Sequence, residues 1–309
     1  PAKLDSSNFF HCLCGELQKL NSMSVKRSDS TVRVASLTSV NMDAIPSSAR
    51  PVAVSFPSRY IPLFGLIMAV LSILGSVLMN LYHGHDIGGI PWPYISDTAK
   101  DPPQAGMFSY GMTVTSCIIV WVVVINYGKA KNDIDLMYPP DTDGLGSRRN
   151  FAGLVAGLIS APNLGLLACF DTRRTPGLHL LFVVLFFIPC IAYLFIVKSL
   201  YELLLVRAKT RAQKKEDQEP GHEVPYKSYT SLQTSLRWKR LICNVFLVAV
   251  TLYLPVGMAL VSDWQDYSND VAIHTARAVA QHVSVFCLCC FFGSMYYDFG
   301  ALEFFIVQG

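Results

Sequence analysis

Six runs of apolar residues, each about 20 residues long, most constrain what this chain can fold into. A helix of about 20 residues is about 30 Å long, which matches the hydrocarbon thickness of a bilayer. The runs are continuous and lack the alternation of a membrane β-barrel. We therefore predict an all-α membrane protein, a six-transmembrane-helix bundle. The predicted spans are 60–81, 107–127, 151–170, 177–201, 241–261 and 272–296.

The composition agrees with a membrane protein and excludes several other classes. The chain is 52% hydrophobic and only 15% charged, which is too apolar for a soluble domain of this size. The net charge of +3 is small, and no basic reading motif is present, so we expect no nucleic-acid partner. The sequence contains no Walker A, HExxH or GxSxG motif, so we assign no cofactor and no catalytic residue.

Positively charged residues fall on alternate loops. The polar tail 1–59 and the loops 128–150 and 207–240 hold most of the Lys and Arg, whereas the other three loops are mostly acidic. Loops rich in Lys and Arg stay cytoplasmic. We therefore expect both termini on the cytoplasmic side, including the short end 305–309, and we expect the loop 83–106 outside or in a lumen.

Two polar segments on the cytoplasmic side are candidates for contacts. Residues 7–20 of the tail have apolar side chains on one helical face and predict a short amphipathic helix, for a membrane surface or a partner. The basic loop 207–240 is either a plain positive-inside loop or a surface that attracts anionic lipids. Membrane lipids are therefore the expected partners. Other membrane subunits, bound through the tail and the basic loop, are the alternative.

The sixth span begins with an unusual set of polar residues. His274, Arg277 and Gln281 share one helical face, and His282 adjoins it. Ionisable groups at this depth usually face the bundle interior or a wet cavity. One interpretation is a pocket for a lipid headgroup. The candidate headgroup contacts are then Asp97, His179, His274, Arg277 and His282. The other interpretation is an internal pair between Arg277 and Asp86, Asp97 or Asp171. The His and Asp spacing matches no metal signature, so we assign no metal site.

The loop after the first span contains a compact motif, Pro93, Tyr94, Ile95, Ser96 and Asp97. We interpret it as a structural motif that folds the loop into a cap over the bundle. Aromatic residues often sit at the headgroup level of a bilayer. We therefore expect Trp92 and Tyr94 to anchor the loop there.

From about residue 59 to 304 the chain resembles the Frag/DRAM/Sfk superfamily, which includes damage-regulated autophagy modulators and is related to a remodelling factor of GPI anchors. The matching residues are Pro93–Asp97, Pro102, Pro103, Phe108, Asn150, Phe170, His179, Asp298 and Phe299. The family carries a Glu-Trp pair in the outer half of its last span. Here those positions read Gln281 and His282.

The resemblance implies a non-enzymatic integral membrane protein that regulates or organises membrane lipid, or a membrane process such as autophagy. A lipid-remodelling enzyme at the lumenal or outer face is one alternative, and an accessory subunit of a larger membrane complex is another. For the compartment we expect an endomembrane, lysosomal included, or the plasma membrane, with an organelle inner membrane as the alternative.

Overall fold

The computed structural model describes residues 53–84, 89–137, 144–218, 226–261, 267–299 and 303–307. The amphipathic helix predicted at 7–20 lies outside these residues, as does the rest of the tail up to residue 52. The contact of the tail with other subunits therefore stays a prediction.

The six predicted spans are confirmed as six long helices, each apolar enough to cross a bilayer. They are α1 (Tyr60–His83), α2 (Gln104–Met137), α3 (Leu145–Cys169), α4 (Pro176–Gln218), α5 (Tyr226–Thr251) and α6 (Val271–Gly293). Helix α5 continues through a π-helical segment, Leu252–Val256, and a short helix, Gly257–Leu260. A 3₁₀ turn, Ser294–Tyr296, follows α6, and a short helix, Ile95–Thr98, lies in the first loop.

One small β element was missed by the all-α prediction. The strands Ala53–Pro57 and Glu303–Val307 pair in antiparallel fashion, before α1 and after α6. This pairing places both ends of the described chain at the same end of the bundle, as an even number of spans requires. We call this the ribbon end, and we call the opposite end, which carries residues 89–103, the cap end.

Each long helix packs against the next one along the chain, and α6 packs back against α1 to close a ring. Small residues allow the close contacts expected of helices in lipid. A Cβ atom added at Gly65 would lie 2.9 Å from Ile118 of α2, and one at Gly157 would lie 2.7 Å from Val123. Large apolar side chains such as Leu78 and Ile188 are exposed on the outside, where a bilayer would cover them.

The helices run further at the ribbon end than the apolar runs predicted. Much of the segment 207–240 is not loop, because α4 continues to Gln218 and α5 begins at Tyr226. Likewise, α2 continues to Met137 and α3 begins at Leu145. Hydropathy marks the part of a helix that lies in lipid, whereas the helix itself continues beyond it.

Candidate functional site

The first loop folds over the cap end and is tied to α6. The Ile95 backbone N–H donates to the Gln281 side-chain oxygen at 2.9 Å, and the Gln281 amide donates to the Tyr253 hydroxyl at 3.0 Å. The Ser76 hydroxyl of α1 donates to the Thr98 carbonyl at 3.0 Å. Gln281 of α6 therefore joins the cap to α6 and to the π-helical segment that follows α5.

Tyr94 lies at the centre of this cap and is 7% exposed. Its hydroxyl lies 3.0 Å from His274 Nδ1, and its ring packs 5.6 Å from the Tyr267 ring. Burial raises the pKa of Tyr94 to about 12, so the phenol stays neutral at physiological pH. The prediction that Tyr94 anchors the loop at the headgroup level is wrong. Trp92 is more exposed, and its indole Nε1 lies 3.2 Å from His282 Nδ1.

The Asp97 carboxylate is held within the cap. It forms an ion pair with Lys100, and it accepts a hydrogen bond from the Tyr267 hydroxyl at 3.0 Å. Burial raises the pKa of Tyr267, and the neighbouring Asp97 charge raises it further, so Tyr267 remains a neutral donor. A carboxylate engaged in this way is poorly placed to act as a free general base.

Arg277 is the least compensated charge in the cluster. The residue is 7% exposed and lies about 9 Å along α6 from its first residue. Its Nε donates to the Tyr253 carbonyl at 3.4 Å, and its Nη2 lies 2.9 Å from Met258 Sδ. The guanidinium carbon also lies 5.6 Å from the centre of the Tyr94 ring. In the part of the chain that the structure describes, no carboxylate pairs with it.

This arrangement overturns the predicted pairs of Arg277 with Asp97 and Asp171. Asp97 binds Lys100 instead. Asp171 accepts the backbone N–H groups of Arg173 and Arg174, at 2.8 and 2.6 Å. Asp86 lies outside the described residues. A guanidinium has five N–H donors, and the described contacts of Arg277 are one long hydrogen bond, one sulfur contact and one ring contact.

The described hydrogen bond of His179 lies outside this cluster. Its Nδ1 lies 2.6 Å from the Phe170 carbonyl at the end of α3, and the Phe170 and Phe182 rings stack at 5.3 Å. These contacts join the ends of α3 and α4. Of the five candidate headgroup contacts, the structure brings together Asp97, His274 and Arg277 around Tyr94 and Tyr267, and it places His282 beside Trp92.

Three residues of the cluster were missed by sequence reasoning, namely Tyr253, Gly257 and Tyr267. The sequence feature that could have drawn attention to this region is Pro255, which lacks a backbone N–H and lies in the π-helical segment. Such segments are frequent at functional sites. A Cβ atom added at Gly257 would lie 2.6 Å from Arg277 Cγ, so the glycine makes room for the arginine stem.

A second buried polar cluster lies toward the ribbon end. Lys239 has no exposed surface, and its Nζ lies 2.6 Å from both Asp298 Oδ2 and Ser235 Oγ. The ammonium also lies 4.7 Å from the centre of the Tyr201 ring. Lys239 belongs to the segment predicted as a basic loop, and no feature of the sequence indicated that its side chain would be buried.

No group of three or more potential metal ligands occurs in the described part of the chain.

Six long apolar helices in a closed ring, with a folded polar cap at one end, define a multi-pass integral membrane protein. The chain belongs to the Frag1/DRAM/Sfk1 family, since the Frag1/DRAM/Sfk1/Cwh43P N-terminal domain matches residues 57–302, which include all six helices.

The chain is also similar to a modulator of macroautophagy, TMEM150B of Danio rerio. The two are 31% identical over 107 residues, which are 35% of this chain and 42% of that protein. The match therefore spans less than half of that relative. No solved structure matches this chain.

Proposed function

We propose that this chain is a non-enzymatic membrane protein that modulates autophagy and organises lipid around its helix bundle. The observation that carries the proposal is the family relation across all six helices, together with a relative named as a modulator of macroautophagy. An endomembrane, lysosomal included, is the compartment that suits this role. The alternative of a lipid-remodelling enzyme is less well supported, because the Asp97 carboxylate is engaged by Lys100 and Tyr267.

The cap end supplies the lipid contact in this proposal. Arg277 retains N–H donors beyond its described contacts, and a guanidinium binds phosphate oxygens in a forked geometry. The phosphate group of a lipid headgroup is the ligand that would compensate its charge. His274, Tyr94 and Gln281 hold the surrounding groups in place, and Asp97 fixes the loop above them.

Removal of the protein from cells should change autophagic flux, and re-expression of the wild-type chain should restore it. Flux is measured as turnover of a fluorescent autophagosome reporter, with and without inhibition of lysosomal degradation. Re-expressed R277M should fail to restore flux, whereas K131Q, a charge loss at an exposed site of α2, should restore it. Unchanged flux in cells without the protein would contradict the proposal.

We further propose that the ribbon end faces the cytoplasm and that the cap faces a lumen or the outside. The distribution of Lys and Arg among the loops supports this orientation. In the structure both strands lie at one end, so a single orientation places both on the same side.

Epitope tags test this orientation. A tag inserted after Gly221 should be reached by antibody when only the plasma membrane is permeabilised. A tag inserted after Gly88 should require permeabilisation of internal membranes or, if the protein is at the cell surface, should be reached in intact cells. A tagged variant counts only if it restores autophagic flux. The reverse pattern would overturn the orientation.

A further inference from the structure

A groove of about 200 Å³ opens between α4 and α5 toward the ribbon end. Its polar lining consists of Glu202, Lys209, Gln233, Arg237 and Arg240, and its apolar lining consists of Leu205, Val206 and Leu236. Three cations against one carboxylate leave a net charge of +2. The groove is far along α4 from the cap and shares no residue with the cluster around Arg277.

The position of the groove along the helices matches the headgroup layer of a bilayer. Glu202 lies about 39 Å along α4 from Pro176, beyond the hydrocarbon thickness of about 30 Å. On α5, Arg240 immediately precedes the apolar run that begins at Leu241. Glu202 and Arg240 therefore lie where a membrane changes from acyl chains to phosphate groups, and Lys209 and Arg237 lie on its polar side.

Two of the three cations are available to a ligand. Arg240 Nε donates to Glu202 Oε1 at 2.9 Å, so this charge is already compensated. Lys209 and Arg237 are exposed, and among the described residues neither forms an ion pair. Two uncompensated cations beside a neutral Gln233 amide form a binding surface for phosphate oxygens.

An apolar track leads from the groove along the outside of the bundle. Val206 at the groove is 61% exposed. On α5, Leu241, Val245 and Val248 are exposed and lie on one helical face, since they are separated by four and three residues. This face runs from the groove toward the middle of the membrane. It can accommodate acyl chains while the cations hold a headgroup.

We propose that this groove binds the headgroup of an anionic phospholipid from the leaflet at the ribbon end. Lys209 and Arg237 contact its phosphate oxygens, and Arg240 contributes when it is released from Glu202. The groove is positively charged, lies at the depth of the headgroup layer and adjoins an exposed apolar face. Together these features point to a lipid rather than a soluble anion as the ligand. This site is independent of the role in autophagy and of the cap.

Native mass spectrometry of the purified full-length chain in detergent tests the proposal, with phosphatidylinositol 4-phosphate as the probe and phosphatidylcholine as the neutral reference. The wild-type chain should retain the anionic lipid. K209Q/R237Q should weaken this binding by roughly tenfold, because each basic residue near the surface contributes substantially to such binding. The matched control is K131Q/R148Q, which removes two exposed cations of α2 and α3 at the same end. It should bind as the wild type does.

A variant that binds the anionic lipid more tightly provides a second test, because misfolding would weaken binding rather than strengthen it. E202Q removes the carboxylate and releases Arg240, so it should strengthen binding severalfold. Unchanged or weaker binding by E202Q would overturn the proposal, as would equal losses in the two double variants. Unchanged binding by K209Q/R237Q would likewise overturn it, because the lipid would then be held by other residues. Inositol phosphate without acyl chains should not compete at equal concentration. Full competition would show that a soluble phosphate compound is the ligand.

Discussion

Replacement of Lys239 by Met is expected to lower the free energy of unfolding by about 3–5 kcal/mol. The side chain of Lys239 is fully buried, and Asp298 is almost as enclosed. Removal of one member of a buried ion pair leaves the other charge without compensation, which is strongly destabilising. The variant leaves the Asp298 carboxylate buried without its ammonium partner, although the Met side chain occupies a similar volume.

Unfolding in mixed micelles by SDS titration measures this effect. The control K131M removes an exposed charge from α2 at the same end and should change stability by no more than about 0.5 kcal/mol. The variant K239M/D298N should recover part of the loss, because it no longer buries an unpaired charge. A loss below about 1 kcal/mol for K239M would mean that the pair is solvated in the membrane.

The apolar runs predicted the six helices because the bilayer leaves a spanning chain few alternatives. Within lipid each backbone group must find a partner in the chain, and a helix provides that partner for every residue. The helix ends were less predictable, as α4 and α5 show. Polar residues there remain helical because they continue an existing helix, and hydropathy carries no signal for this continuation.

The cap cluster was predicted in part. Polar residues deep in an apolar run are costly, and this argument predicted that His274 and Arg277 face the bundle interior, where both are buried. Their partners could not be predicted, because Tyr253 and Tyr267 lie in segments distant in sequence. The predicted pair of Arg277 with Asp97 is wrong, because Asp97 has a nearer cation, Lys100, three residues along the same loop.

In the described part of the chain, the buried cations Lys239 and Arg277 have opposite surroundings, so Lys239 is a useful comparison for Arg277. Lys239 is matched by a carboxylate at 2.6 Å, whereas the strongest described contacts of Arg277 are a carbonyl oxygen and a sulfur atom. A charge buried without a counterion carries an uncompensated desolvation cost. Proteins keep a destabilising arrangement of this kind mainly at functional sites.

R277M should therefore be at least as stable as the wild type in lipid-free micelles. We expect its free energy of unfolding to rise by about 1–2 kcal/mol, whereas that of K239M should fall. Added phosphatidylcholine should stabilise the wild-type chain, because a ligand that binds only the folded state raises its stability. The same lipid should stabilise R277M much less. SDS titrations at several lipid concentrations measure both effects. A loss above about 2 kcal/mol in R277M without lipid would show that the internal contacts of Arg277 already compensate its charge, and the proposed headgroup contact would then have no basis.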